Sequence, residues 1–205
     1  MIKKLGYIIF VGLCIIIGLY PLLYFIIEEK IGILNSKSEM LLHDGLWNIG
    51  FYVHITLGGL ALLIGWTQFN EKLREKNLEL HRNLGKIYLV SVLLSGFSAL
   101  YIASFATGGI VATLGFSCLA IIWLYSTTRA YLEIKNRSIR KHQKFMTYSY
   151  AACFAAVSLR IWLPILTAIF EDPLTAYKIV AWLCWIPNII VAYFIIRRQN
   201  IISNK

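Results

Sequence analysis

The stretch Leu5-Gly-Tyr-Ile-Ile-Phe-Val-Gly-Leu-Cys-Ile-Ile-Ile-Gly-Leu-Tyr-Pro-Leu-Leu-Tyr-Phe-Ile-Ile27 holds no charged side chain. A helix needs about 20 mainly apolar residues to cross the hydrocarbon core of a bilayer, and this run is long enough. Working outward along the chain, five further runs qualify: residues 48–69, 85–106, 111–132, 146–170 and 177–196. Backbone groups in lipid must be satisfied within their own segment, and the alternating strands of about ten residues that a lipid-exposed barrel needs are missing. The expected fold is therefore an all-α integral membrane protein, a bundle of six transmembrane helices forming one membrane domain over residues 1–205. Composition agrees. Of the 205 residues 59% are hydrophobic and 15% charged, against about 45–50% and about 25% in a soluble domain. Mean hydropathy is +0.68. A water-soluble globular domain is excluded.

The formal charge of +10, from 20 Lys+Arg against 10 Asp+Glu, would suggest nucleic acid in a soluble protein. Its distribution gives another reading. With the N-terminus inside, the cytoplasmic segments hold Lys3 and Lys4; Lys72, Arg74, Lys76, Arg82 and Lys86; Arg129, Lys135, Arg137, Arg140, Lys141 and Lys144; and Arg197, Arg198 and Lys205. Lys30, Lys37 and Lys178 fall outside, and Arg160 lies within a span. The outer segments carry Glu28, Glu29, Glu39, Asp44, Glu171 and Asp172. Cytoplasmic loops of membrane proteins are enriched in Lys and Arg, so both termini are placed in the cytoplasm. The partner implied is the lipid bilayer, with no nucleic acid.

The first span begins with Lys3 and Lys4 like a signal peptide, but its apolar run exceeds the usual length of about 7–15 residues and no small-x-small site follows. An uncleaved first helix is expected. Cys14, Cys118, Cys153 and Cys184 all fall within spans and read as small buried hydrophobes. Ser36-Lys37-Ser38-Glu39 has the spacing of a capping box and predicts a short interfacial helix starting there. Gly108-Gly109 predicts a tight turn. Residues 70–84 and 133–145 read as charged loops. No P-loop, Gly-x-Ser-x-Gly or His-Glu-x-x-His occurs, and no carboxylate lies mid-span, so an ATPase, a zinc protease and a carboxylate-based ion pump are poor fits.

Ionisable side chains inside spans are functional candidates by default. Arg160 lies about ten residues from the outer end of span five, roughly 15 Å deep at about 1.5 Å per residue. An arginine there costs about 2.5–3.5 kcal/mol on insertion scales, so a partner or water is expected. Pro164 has no N–H for the Arg160 carbonyl. The plainer alternative is a structural arginine tying helices together. His54 stands two turns inside span two, above the small residues Gly58, Gly59 and Gly65, a face that admits close approach. The alternative is a neutral histidine bonded across helices. His43, eleven residues earlier, would share its face in a continuous helix. Asn188, beside Pro187 in span six, needs a partner and a kink is expected there. Ser91, Ser95 and Ser98 of span three read as helix-packing residues.

His81 and His142 lie at matching depth near the cytoplasmic ends of spans three and five, beside Arg82 and Lys86 and beside Lys141 and Lys144. Two neutral imidazoles on separate helices suit the axial positions of a haem iron, with basic side chains pairing the propionates. Zinc would need further ligands. The alternative is two interfacial histidines among anionic headgroups. His142 and Arg160 are eighteen residues apart, about five turns, and would share one face of an unbroken helix.

His54-x-x-x-Gly58, His81-Arg82-x-x-Gly85-x-x-Tyr88, Gly108-Gly109 with Gly115-Phe116, His142-x-x-Phe145-Met146, Leu159-Arg160 and Trp185-x-Pro187-Asn188 together resemble a bacterial family of predicted membrane proteins, domain of unknown function 2306. The resemblance runs from Val53 to Asn188. Phe145 stands where the family often has Trp. It implies a multi-pass protein of a bacterial plasma membrane and a pattern that includes the three histidines and the arginine. It implies no activity. A weaker likeness to cytochrome b-561-type haem proteins is an analogy only.

Three functions follow as expectations. The first is a haem- or quinone-linked redox protein, with His81, His142 and Arg82 at the cofactor. The second is a transporter or ligand-binding protein, with His54, Arg160 and Asn188 binding a small molecule. The third is an assembly partner of a larger membrane complex.

Overall fold

Prolines at positions 21, 164 and 187 each remove a backbone N–H from an apolar span, with different results. In the computed structural model, which describes residues 2–27 and 32–203, helix α1 (Ile2–Leu19) gives way at Pro21 to a 3-10 turn, Tyr20–Leu22, before resuming as α2 (Leu23–Ile26). Glu28, Glu29, Lys30 and Lys205 lie outside the described residues, as does the side chain of Lys3. The remaining helices are α3 (Glu39–Leu42), α4 (Gly45–Gly65), α5 (Glu71–Lys76), α6 (Leu78–Ala103), α7 (Gly109–Lys135), α8 (Ile139–Cys153), α9 (Ala155–Phe170), α10 (Pro173–Leu183) and α11 (Ile186–Ser203). Among the described residues every regular element is helical.

Among the described residues, six helical segments are long and apolar enough to cross a membrane: Lys4–Ile26, Gly45–Phe69, Leu78–Ala103, Gly109–Lys135, Ile139–Phe170 and Pro173–Gln199. Several extend further than hydropathy alone indicates. Span three starts at Leu78 instead of residue 85, because the charged first turns, with Glu79, His81 and Arg82, are already helical. The segment before it is helical too, with Asn70 capping α5 by accepting from the Leu73 N–H at 3.1 Å. Large apolar side chains face outward, among them Ile16, Ile26, Leu46, Ile49 and Ile110, each at least 65% exposed. In lipid such surface is solvated by acyl chains.

Two details of the sequence reading change. The short interfacial helix is capped by Ser38, whose hydroxyl accepts from the Leu41 N–H, and starts at Glu39; Ser36 instead closes the preceding 3-10 turn through a bond to the Ile33 carbonyl. His43 is the C-cap of α3 and Asp44 caps α4 anew through the Trp47 N–H at 2.8 Å. His43 and His54 therefore do not belong to one continuous helix. The Gly108-Gly109 turn forms as expected, with Gly109 at φ +63°, where a side chain would be strained.

The chain divides into two compact units, Met1–Ile102 and Ala103–Lys205. In the first, α1 packs on α4 through small residues. A Cβ added at Gly59 would lie 2.6 Å from the Gly18 carbonyl oxygen, and one at Gly50 would meet the Tyr101 ring at 3.0 Å. At one end of this unit aromatic rings fill the space, with Trp47 stacked on Phe51 and Tyr24 edge-on to Phe51. In the second unit, α7 packs against α8 and α10, and α9 against α10. Ala155, Leu166, Ala176, Val180, Cys184 and Trp185 form its core. Gly115 lets α7 approach the Ala181 backbone; an added Cβ would sit 2.8 Å from that carbonyl oxygen. Close approach through small residues is how helices associate where the hydrophobic effect gives no driving force between them.

Candidate functional site

Spans five and six are both interrupted, and the two interruptions are joined. In span six the second residue of α11 is Pro187, which has no N–H for the carbonyl of Leu183 one turn earlier. The helix breaks at Cys184–Trp185, where the Trp185 N–H turns to the Trp182 carbonyl at 3.4 Å. In span five the break is at Phe154, between α8 and α9, where no proline stands. The Phe154 carbonyl there accepts from both Val157 and Ser158 N–H groups.

Asn188 spans the gap. Its Nδ2 donates to the Ala151 carbonyl at 3.3 Å, just before the break in span five, and to the Cys184 carbonyl at 3.0 Å, at the break in its own span. Its amide also meets the Ser158 hydroxyl at 3.1 Å. A side chain set into the i→i−4 ladder is a recognised cause of helix interruption. Asn188 thus has the partner its burial demanded, and that partner is structural.

Arg160 sits two residues beyond Ser158 in α9, half-buried, and its guanidinium donates to the Ala156 carbonyl at 3.0 Å. The buried stripe of α9 runs through Ala155, Val157, Ser158 and Leu166, so Arg160 flanks that core without belonging to it. Pro164 stays inside α9 without breaking it. The break at Phe154 also corrects one expectation. The five-turn relation between His142 and Arg160 required an unbroken helix, so it does not place them on one face.

His142, in α8, places Nδ1 2.8 Å from the Ala130 carbonyl of α7. A carbonyl can only accept, so Nδ1 is the donor in this bond. His54, in the first unit, is likewise held through Nδ1 by α6. Its Nδ1 lies 3.1 Å from the Ser95 carbonyl and 3.0 Å from Ser95 Oγ, while that hydroxyl donates back to the His54 carbonyl at 2.9 Å. Ser95, legible in the sequence only as a packing residue, is the side chain that orients the histidine. His81 and Arg82 stand in the opening turns of α6, His81 half-buried and Arg82 exposed.

Near His142, Arg129 and Glu133 form an ion pair at 2.7 Å, with Glu133 only 7% exposed. The Arg129 guanidinium also lies 5.5 Å from the centre of the Phe145 ring. Thr127 and Ser149 share a buried bond at 2.6 Å between α7 and α8. No sequence motif announces either pair, since each links residues from different helices or a carboxylate otherwise read as loop. Among the described residues no three His, Cys, Asp or Glu side chains come together as a metal site.

A model of predicted membrane proteins, DUF2306, matches residues 51–196. The chain belongs to this family. The match takes in His54, His81, His142, Arg160 and Asn188, and it leaves out the first span and the segment after it. As a DUF2306 protein the chain is a predicted multi-pass membrane protein in contact with the bilayer. No curated protein and no solved structure matches it.

Proposed function

We propose that this DUF2306 protein binds or transports a small anionic or carbonyl-bearing molecule, with Arg160 as the receiving group. The observation that supports the reading is the pair of interrupted spans tied by Asn188. Irregular backbone at membrane depth is tolerated only where it is buried in protein or lines a water-filled cavity, and discontinuous helices supply substrate sites in many transporters. Arg160 lies in the second half of one such span, and its planar fork of donors suits a carboxylate or phosphate. In the first unit, taken by itself, His54 held by Ser95 is a separate candidate polar group. The charge pattern supports both termini on the cytoplasmic face of a bacterial plasma membrane, with the chain as one membrane domain.

The test is thermal unfolding of the purified protein in mild detergent across a panel of small carboxylates and phosphates. At least one should raise the midpoint of the wild type and leave Arg160→Gln unmoved. Equal shifts in both proteins, or none across the panel, count against the proposal.

A second reading, a haem- or quinone-linked redox role, rests on His142. Histidines that ligate metals donate their other ring N–H to a carbonyl or carboxylate, as Nδ1 does toward Ala130. Bound haem would supply one-electron chemistry; His142 would hold the iron through Nε2, with Lys141 and Lys144 nearby for the propionates. A reduced-minus-oxidised spectrum of the purified protein decides this reading: a Soret band lost in His142→Ala supports it, and none after haem supplementation removes it.

A further inference from the structure

One end of the second unit gathers exposed cations. Lys135 closes α7, Arg137 stands in the turn that follows, and Arg140, Lys141 and Lys144 fall in the first two turns of α8. Arg197 and Arg198 reach the same level on α11. Two contacts fix that level. Thr127 of α7 meets Ser149 of α8 at 2.6 Å, so Lys135, eight residues on, is level with Lys141, eight residues back. Asn188 meets the Ala151 carbonyl at 3.3 Å, so Arg197 and His142, each nine residues away in its own helix, both stand about 13.5 Å beyond that contact. All these Lys and Arg side chains are exposed, and among the described residues none of them forms an ion pair. The one acid in these segments, Glu133, is buried and held by Arg129 at 2.7 Å. Glu171 and Asp172 lie past the far end of α9.

These charges do not serve the helices that carry them. Cations in the first turns of a helix oppose its dipole, and Arg140 and Lys144, four residues apart, repel each other. Arg137 sits at φ +58°, the left-handed region where glycine is the usual residue. Helix α5 of the first unit is different, since Glu71 and Glu75 are interleaved with Lys72, Arg74 and Lys76, and Arg74 lies 3.9 Å from Glu71. Apolar side chains stand among the cations of the second unit: Leu132, Ile134 and Ile139 are each at least 40% exposed. Lys135 Nζ lies 5.7 Å from the centre of the Tyr131 ring and Lys144 Nζ 6.0 Å from that of Phe145, which keeps both amines down against the rings. A partner for this surface must offer anionic groups and apolar chains together. We propose that this end of the second unit binds anionic phospholipids, with the phosphates on the arginines of α8, α11 and the turn before α8, and the acyl chains over Leu132, Ile134 and Ile139. The planar fork of arginine suits phosphate oxygens.

Native mass spectrometry of delipidated protein, offered phosphatidylglycerol or phosphatidylcholine, tests the site. One cation near an anionic membrane surface is worth about five-fold in binding, so the wild type should retain phosphatidylglycerol at least about ten-fold more strongly than phosphatidylcholine. A combined variant, Arg137→Gln with Arg140→Gln, Arg197→Gln and Arg198→Gln, should bring the preference to within about two-fold. Arg→Lys at the same four positions should keep it. Lys72→Gln, Arg74→Gln, Lys76→Gln and Lys86→Gln combined, a matched loss of charge in the first unit, should keep it too. Helical circular dichroism of the variants should match the wild type, because the four arginines are exposed. The proposal is overturned if the wild type shows no preference, if the Gln variant keeps it, if the Lys variant loses it, or if the first-unit variant loses as much. Displacement of the lipid by polyglutamate would assign the surface to an acidic protein, and displacement by inorganic phosphate to a free anion; either result overturns the lipid.

Discussion

The Asn188 amide and the Ser158 hydroxyl lie 3.1 Å apart, joining α11 to α9 just beyond the interruption in each span. Each side chain sits where its helix has lost regular hydrogen bonding. Together with the Ala151 and Cys184 carbonyls they form one polar cluster in the second unit.

Asn188→Ala removes the amide that donates to the Ala151 and Cys184 carbonyls and to the Ser158 hydroxyl. Hydrogen bonds between membrane helices are worth about 0.6 kcal/mol on average and up to about 1.7, and three acceptors are affected here. A loss of about 1–2 kcal/mol follows, read as a lower unfolding midpoint in detergent. Ser158→Ala should cost less, because Asn188 keeps both carbonyls. Equal midpoints for Asn188→Ala and the wild type would show that the cluster does not hold the two breaks together.

Gly59→Ala should weaken the packing of α1 on α4. The new Cβ would lie 2.6 Å from the Gly18 carbonyl oxygen, which is backbone and cannot swing aside. Overpacking of this kind costs about 1–3 kcal/mol. Gly12→Ala is the matched control: nothing lies within 4 Å of its added Cβ, so helix propensity alone makes it neutral or slightly stabilising. If both variants melt alike, the close approach of the two helices is wrong.

The spans and their approximate bounds were legible because hydropathy over about 20 residues is a strong signal. The kink near Pro187 was legible because a missing N–H is written in the residue itself. The break at Phe154 was not, because no proline or glycine marks it and the side chain that meets it, Asn188 at the Ala151 carbonyl, comes from another helix. For the same reason the partners of His54 and His142, Ser95 and the Ala130 carbonyl, could not be named: a backbone acceptor on another helix leaves no residue-type signature. The capping box misled by two residues because Ser36 and Ser38 both match an N-cap, and only the local backbone chooses between them.

Asp172 gives a pH dependence outside the membrane. The Thr175 hydroxyl, then the Leu174 and Thr175 N–H groups, hold its carboxyl below the ordinary value of 3.8. A depressed folded value means the cap stabilises fully above the unfolded value and loses that contribution as pH falls toward the folded one. The midpoint difference between the wild type and Asp172→Ala should therefore be present at pH 7 and shrink below about pH 4. A difference that grows on acidification would reverse the sign.

Water access to Arg160 is the most direct test of the proposed site. Cysteine is placed at Ala156, whose carbonyl receives the Arg160 guanidinium, and, as a control, at Leu166, which is 7% exposed in the core. Both are made with the native cysteines replaced, and a membrane-impermeant thiol reagent is applied to the reconstituted protein from each side. Labelling at position 156 with protection at 166 is the predicted result. Complete protection at 156 from both sides would contradict a ligand site at Arg160 and leave that arginine a purely structural residue.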